Sequence, residues 1–261
     1  MTAQLNAPED HPLNPVPVAV VVGASSGIGA ALAQKLVSEG FKVALLARRK
    51  DRLDELCSLI NQSAGEERAI AYQHDVTDYS SVPPLFQQLL QELQTIDVFI
   101  YNSGVSYPVG ISEFDFEKDR STVAVNLLGA MAWLGQAAVL FERMGSGHLV
   151  GVSSVAGDRG RVLNPPLHAS KAGLSAYLES LRNRLSRKGV HVLTVKPGYV
   201  QTELLGGDKT AFPPSSPEDV AEDIWKAIRR RKQVLYSPWW WRWILLVVEH
   251  LPSFIFRRMS F

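Results

Sequence analysis

The sequence predicts an α/β fold: a doubly wound parallel β-sheet with helices on both faces, formed by a single domain. Short apolar runs alternate along the chain with helical patterns of ten or more residues, as in right-handed β-α-β crossovers. The first apolar run ends in a glycine-rich turn. No break in composition divides the 261 residues, which are enough for one large domain.

The first strand and the turn after it form the most informative stretch. Val18 to Val22 is an uncharged run of β-branched and small residues, typical of a strand buried on both faces. Gly23, Gly27 and Gly29 follow, and a helical apolar pattern begins at Ile28. Such a turn directs backbone N–H groups and the positive end of a helix at one point, where a pyrophosphate fits. The candidate phosphate contacts are Gly23, Ser25, Ser26, Gly27, Ile28 and Gly29. Taken alone, the motif is explained equally well by a purely structural turn.

The later elements follow in order from their apolar periodicity. Further strands are predicted at residues 42–47, 69–74, 98–101, 148–152 and 190–195. Helices are predicted after Lys50, from Asp78 to about Gln94, from about Phe116 to Met144, from about Pro166 to Arg187, and from Pro217 to Arg231. Asp78 and Ser216 are the residue types that cap helix starts.

Composition narrows the function classes. Lys and Arg number 27 against 26 Asp and Glu, so the chain lacks the positive field of a nucleic-acid binder. The single cysteine, Cys57, excludes an intramolecular disulfide and suits a reducing compartment, which favours the cytoplasm. No cluster of Cys and His suggests a metal site. Residues 1–16 are polar and proline-rich, and we expect a flexible lead-in there rather than a secretory signal.

Arg48 and Arg49 end the second predicted strand, about 20 residues beyond the glycine turn. A nucleotide fold that prefers NAD usually carries a carboxylate there for the ribose 2′-OH. Guanidinium groups instead suit a 2′-phosphate, so the sequence favours NADP(H). The alternative is a solvated basic start to the next helix, which would be poorly placed for that helix dipole.

Several short motifs then stand in a recognisable order. They are Gly23–Gly29, Asp75-Val76, Asn102-Ser103-Gly104, Asn126, Val152–Gly157, Ser170-Lys171 and Pro197–Thr202. With them, the chain from Val18 to about Tyr236 resembles the short-chain dehydrogenase/reductase family. The resemblance implies a Rossmann-type sheet of about seven strands, a nicotinamide cofactor across the strand ends, and reversible hydride transfer to a carbonyl. Beyond the glycine turn and the two arginines, it implies cofactor contacts from Asp75, Val76, Asn102, Gly104, Lys171, Pro197, Gly198, Val200 and Thr202.

The same resemblance implies the catalytic roles. Ser154 would hold the carbonyl oxygen, Lys171 would lower the pKa of an acid and bond the nicotinamide ribose, and Asn126 would hold a relay water. Without the resemblance, these three residues are explained as a turn serine, a solvated helix lysine and an amide in a helix kink. The expected partner is a small hydrophobic carbonyl compound or the matching alcohol.

The position of the family's tyrosine acid is occupied by Leu167, four residues before Lys171 and thirteen after Ser154. Leucine has no proton to give. His168 is the neighbouring candidate, but one helical residue turns it about 100° from the line of 167 and 171, and we expect a partly exposed histidine.

Three explanations of Leu167 remain. The chain is an active-site variant of a working reductase, or a natural NADPH-binding member without efficient catalysis, or a protein whose proton comes from water or substrate. The first is preferred because every other element is intact. The alternative function is a catalytically silent NADPH-binding scaffold that acts through partners.

The end of the chain is unusually apolar. We divide the chain into the lead-in (residues 1–16), the domain (17–236) and a Trp-rich extension (237–261). Arg242, Glu249 and Pro252 interrupt the extension, so it is not predicted to span a membrane. It is expected to pack on the domain or at a subunit interface, or to contact a membrane peripherally through residues 239–258. The resemblance suggests a homodimer or homotetramer built on the helices that contain Asn126 and Lys171.

Overall fold

The computed structural model describes residues 16–205 and 210–258, and the predicted flexible lead-in lies outside these ranges except for Val16. Seven strands within the described ranges form one sheet, and every neighbouring pair is parallel. The strands are β1 (Val18–Val22), β2 (Lys42–Ala47), β3 (Ala69–Gln73), β4 (Val98–Tyr101), β5 (His148–Val152), β6 (His191–Pro197) and β7 (Val234–Ser237). The predicted doubly wound parallel sheet is confirmed.

The strand order is β3-β2-β1-β4-β5-β6-β7. The chain adds strands on one side of β1 and then crosses to the other side, so β1 lies between β2 and β4. Crossovers leave the sheet in opposite directions at this point and open a crevice beyond the carboxyl ends of the strands. The glycine turn after Val22 and the segment after Tyr101 both emerge there.

Helices cover both faces of the sheet. They are α1 (Gly27–Ser38), α2 (Lys50–Ala64), α3 (Val82–Leu93), α4 (Phe116–Val123), α5 (Gly129–Met144), α6 (Pro165–Leu185), α7 (Pro217–Arg229), α8 (Trp241–His250) and α9 (Ser253–Phe256). Apolar side chains of α1, α2 and α7 form one core with the sheet, and those of α3, α5 and α6 form a second core on the opposite face. The central strands β1 and β4 are therefore buried along their whole length, as their uncharged sequences require.

The predicted helix from Phe116 to Met144 is continuous but not uniform. A π-helical turn at Ala124–Leu128 separates α4 from α5. This helix is long and apolar enough to cross a membrane, yet its side chains Trp133, Leu134 and Phe141 are fully buried in the second core. Its apolar character is therefore explained by packing against the sheet.

Other differences from the predicted elements are local. Asp78 caps a short 3-10 turn, accepting from the Ser81 backbone N–H, and α3 begins only at Val82. The residue pattern does not predict β7. This strand extends the sheet to Ser237, one residue past the predicted domain end. A four-residue strand gives too short a pattern to recognise alone.

Candidate active site

A cavity of about 690 Å³ lies in the crevice beyond the carboxyl ends of the strands. It brings together most of the residues singled out in the sequence. Those that line it are Gly23, Ser25, Ser26, Gly27, Ile28, Arg48, Arg49, Val76, Asn102, Gly104, Ser154, Leu167, Lys171, Pro197, Gly198, Val200 and Thr202. Gly29, Asp75 and Asn126 are not on its wall, and their contacts explain why.

The glycine turn is held by close backbone contacts. Gly23 has a φ of +90°, and a Cβ there would lie 2.5 Å from the Ser103 backbone nitrogen. At Gly29 a Cβ would lie 2.1 Å from the Gly23 carbonyl oxygen. Asn102 Nδ2 donates to that same oxygen at 2.8 Å. Gly29 and Asn102 thus shape the turn. Gly29 does so from behind the cavity wall, by leaving room for the Gly23 carbonyl.

Arg49 turns back onto the glycine turn while its side chain stays partly exposed. Its Nε and Nη2 lie 3.2 and 3.0 Å from Ser25 Oγ, and Nη2 donates to Ser26 Oγ at 2.8 Å. Its Nη1 donates to Glu203 Oε2 at 2.7 Å. Arg52, nearly one turn further along α2, donates to Glu203 Oε1. The serines, arginines and Glu203 thus form a charged cluster at the β2 end of the cavity.

The neighbouring Arg48 has a different environment. Its side chain is largely exposed, and Nη1 lies 3.9 Å from Asp75 Oδ2. The other Asp75 oxygen accepts from the Thr77 backbone N–H at 2.9 Å and from its hydroxyl at 2.8 Å. Asp75 therefore holds the turn after β3, while Arg48 lies at the cavity rim.

Ser154 and Lys171 both line the cavity near the carboxyl end of β5. Ser154 Oγ accepts from the Ala156 backbone N–H at 3.0 Å and lies 3.5 Å from the Pro197 carbonyl oxygen. Lys171 is buried on α6, and its Nζ donates to the Val152 carbonyl at 2.8 Å. Burial lowers the pKa of Lys171 to about 8.

Asn126 is fully buried within the π-helical turn. Its Oδ1 accepts from the Val105 backbone N–H at 2.8 Å, and its Nδ2 donates to the Val105 carbonyl at 3.0 Å and lies 3.2 Å from Ser170 Oγ. The amide side chain is thus committed to protein partners. It fixes the segment after β4 against α6, next to the cavity.

Leu167 lies on the cavity wall one helical turn before Lys171. The adjacent His168 is buried, so the expectation of a partly exposed histidine is wrong. Its Nδ1 and Nε2 lie 2.6 and 3.1 Å from the carbonyl oxygens of Ala156 and Leu163. Burial lowers the pKa of this histidine. A neutral imidazole has one N–H, so it can donate to only one of these carbonyls.

Sequence reasoning missed Asn164, which caps α6 in the left-handed conformation with a φ of +56°. Its Nδ2 donates to Ser106 Oγ at 2.7 Å, and its Oδ1 accepts from the Leu167 N–H at 3.3 Å. It joins the segment after β4 to the start of α6. The only local signal for Asn164 is that asparagine is a common residue type at a helix start. Its hydrogen-bond partner Ser106 is 58 residues away, so no local pattern shows the contact.

The C-terminal extension packs beside this cavity. Trp241 and Leu245 of α8 are buried against Val155. A Cβ on Gly198 would lie 1.9 Å from Trp241 Nε1, so the indole fills the space beneath the Pro197-Gly198 turn. On the other side of the extension, large apolar side chains are exposed. They are Trp239, Trp243, Leu246, Val247, Phe254 and Ile255.

Within residues 16–205 and 210–258, no group of three or more His, Cys, Asp or Glu side chains is arranged to hold a metal ion.

Comparisons with known proteins agree on a family. A model of the short chain dehydrogenase family matches residues 17–211. An uncharacterized oxidoreductase of Mycobacterium tuberculosis is 31% identical over 243 residues, covering 92% of this chain and 96% of the relative. A ketoacyl reductase of Nostoc is 31% identical over 217 residues, covering 81% and 75%. The structure of a short-chain dehydrogenase from Sphingobium yanoikuyae in complex with NADPH superposes with a TM-score of 0.80 at 25% identity, covering 91% and 97%.

Proposed function

This chain belongs to the short chain dehydrogenase family, and from that premise we propose that it is an NADP(H)-dependent oxidoreductase. The proposed reaction is reduction of a ketone or aldehyde on a hydrophobic substrate, or oxidation of the matching alcohol. One observation carries the proposal: a single cavity joins the glycine turn, the arginine cluster, and the pair Ser154 and Lys171. The Nostoc relative is a ketoacyl reductase, which supports the proposed carbonyl reduction, and the Sphingobium structure holds NADPH, which supports the proposed cofactor.

The residues present fit a dinucleotide with a 2′-phosphate. Side chains at Gly23 and Gly29 would fill the turn, so its backbone is open to a pyrophosphate only with glycine there. Ser25, Ser26 and Arg49 stand next to that turn and would meet the adenosine ribose. A guanidinium with two hydroxyls suits a phosphate better than it suits a ribose hydroxyl.

The reaction needs a proton as well as a hydride, and the bound nicotinamide would supply only the hydride. In our proposal the Ser154 hydroxyl donates to the substrate carbonyl oxygen. Lys171 holds the nicotinamide ribose and keeps positive charge near the developing alkoxide, which that charge stabilises. Leu167 supplies no proton, and a water molecule beside Lys171 would have to act instead.

We therefore propose that this sequence is an impaired active-site variant. Loss of a general acid slows such steps by about 10² to 10⁴, while positioning and hydride donation remain. Leu167→Tyr should raise NADPH-dependent ketone reduction at least about a hundredfold, measured as NADPH consumption with a panel of hydrophobic ketones. Leu167→Phe is the matched control, since it adds the ring without the hydroxyl.

The same measurement separates the alternative function. A scaffold that acts through partners would bind NADPH but gain no turnover from Leu167→Tyr on any ketone. Gain in both Leu167→Tyr and Leu167→Phe would show that the ring, rather than the proton, is what the site lacks.

The exposed apolar face of the extension supports a proposal of peripheral membrane contact for a cytoplasmic protein. Trp243, Leu246 and Val247 project from α8, and Arg257 and Arg258 follow nearby. Aromatic and apolar side chains with basic neighbours suit an anionic bilayer surface. Flotation with anionic liposomes should recover the protein, and Trp243→Ser with Val247→Ser should abolish recovery. Loss of a dimer in the same variant, without any flotation of the wild type, would instead assign this face to a subunit contact.

A homodimer or homotetramer through α4, α5 and α6 is the proposed assembly. Leu128 of the π-helical turn between α4 and α5 and Val139 of α5 are apolar and half-exposed. Light scattering should then give a mass of two or four chains.

A further inference from the structure

The charged cluster around Arg49 contains one group that does not suit a phosphate site. Ser25, Ser26, Arg49 and Arg52 are donors that would hold an anion, and we name these four the arginine anion site. Glu203, from the loop after β6, places both carboxylate oxygens on its two guanidinium groups. The loop lies 151 residues from Arg52 in the chain, so this contact is made only by folding.

We propose that Glu203 is an internal competitor for the 2′-phosphate: its carboxylate and the phosphate use the same donors of the arginine anion site. Glu203 would then lower the affinity for NADP(H) and leave the affinity for NAD(H) almost unchanged. The inference rests on the proposed function. It assigns Glu203 and Arg52 a part in cofactor selection.

The chemistry of the two anions supports competition. A carboxylate and a phosphate both accept two parallel N–H bonds from a guanidinium. Hydrogen bonds from Arg49 and Arg52 lower the pKa of Glu203 to about 2, so it is ionised at neutral pH. A phosphate dianion arriving at the same donors therefore meets a negative charge that must move away.

The exposure of the cluster indicates that this displacement is easy. The side chains of Arg49, Arg52 and Glu203 are 41%, 43% and 54% exposed. Ion pairs this exposed contribute little to stability and are screened by salt. Glu203 would consequently adjust the preference between the two cofactors without preventing NADP(H) from binding.

The loop that carries Glu203 also lines the cavity. Leu204 and Leu205 are part of the wall shared with Ser154 and Lys171. Displacement of Glu203 would release this wall segment from α2. Binding of the phosphate is thereby linked to the shape of the cleft.

The test is an equilibrium titration of the full chain with NADP⁺ and with NAD⁺, followed by tryptophan fluorescence. Glu203→Gln should tighten NADP⁺ binding about fivefold, the scale of a surface ion pair. Binding of NAD⁺ should change less than about twofold, because NAD⁺ carries no 2′-phosphate. Glu66→Gln is the matched control, since it removes an exposed carboxylate that pairs with Arg68 and is not part of the cavity wall.

A second series locates the effect at the phosphate. Adenosine 2′,5′-bisphosphate should gain affinity in Glu203→Gln as NADP⁺ does, whereas AMP should not. The gain should shrink when Arg52→Gln is added, since Glu203 acts partly through Arg52. The gain in NADP⁺ affinity should also be smaller in about 1 M salt, where charges are screened within a few ångströms.

The outcomes separate the two proposals. Wild-type binding of NADP⁺ with unchanged or weaker binding in Glu203→Gln would overturn the inference and leave the proposed function standing; weaker binding would mean that Glu203 orients the arginines. Failure of the wild type to bind either nucleotide would overturn both.

Discussion

Removal of the buried charge at Lys171 should stabilise the protein while it abolishes function. The side chain is 6% exposed, and its Nζ has a hydrogen bond to Val152. Burial lowers its pKa from 10.5 to about 8. That difference lowers the free energy of unfolding by about 3 kcal/mol at neutral pH, because the folded protein must hold the charged amine in a buried place.

Lys171→Met relieves this penalty but loses one hydrogen bond worth about 1 kcal/mol, so the net gain at pH 7 is about 2 kcal/mol. The gain depends on pH in a defined direction. Between the folded pKa of about 8 and the unfolded value of 10.5, the unfolded chain binds more protons, so the stability of the wild type rises with pH. The advantage of the variant should be complete below pH 8 and gone by about pH 10.5.

Urea unfolding of both proteins at pH 7 and pH 10, followed by tryptophan fluorescence, measures the difference. Lys232→Met, which removes an exposed lysine, should show no such pH dependence. A Lys171→Met variant that is less stable at pH 7, or whose advantage is the same at both pH values, would refute the reasoning. NADPH consumption should fall to background in the same variant, because the proposed ribose and alkoxide contacts are lost.

Three further results are expected. Gly29→Ala places a Cβ 2.1 Å from the Gly23 carbonyl oxygen and should weaken NADP⁺ binding at least about tenfold with an unchanged circular dichroism spectrum; full affinity would exclude the turn as the pyrophosphate site. Arg49→Asp should weaken NADPH much more than NADH in the same titration, because Arg49 belongs to the arginine anion site, and equal effects would contradict the assignment of the 2′-phosphate. Burial lowers the pKa of His148 to about 3, and its Nδ1 lies 2.9 Å from His191 Nδ1. Because the unfolded chain takes up the proton first, wild-type stability should fall between pH 6.5 and pH 3, and His148→Gln should reduce that fall in acid titrations; an identical fall would argue against a half-buried histidine held neutral in the folded protein.

The sequence predicted the parallel sheet well because its signals are local. Most strands are short, mainly apolar runs, and the turn from Gly23 to Gly29 contains its own steric reason for glycine. The placement of Ser154, Leu167 and Lys171 in one site came from the family resemblance, whose motifs they match in order and spacing.

What the sequence did not predict depends on partners that are distant in the chain. No local pattern connects Glu203 with Arg49 and Arg52, and a glutamate in a loop is most simply explained as a solvated side chain. His168 can be buried because the carbonyls of Ala156 and Leu163 are its hydrogen-bond partners, and helical periodicity does not show these contacts. A kink at Asn126 is among the expectations from the sequence, but the hydrogen-bond partner of its amide, Val105, lies 21 residues away and no local pattern shows it.

The contact between Gly198 and Trp241 constrains how this chain can diverge. The indole takes the volume that any side chain at position 198 would need, so the two positions can change only as a pair. A descendant that shortened its carboxyl terminus before Trp241 would lose the reason for that glycine. Descendants that keep the tryptophan should retain glycine at 198, whatever substrate they have come to use.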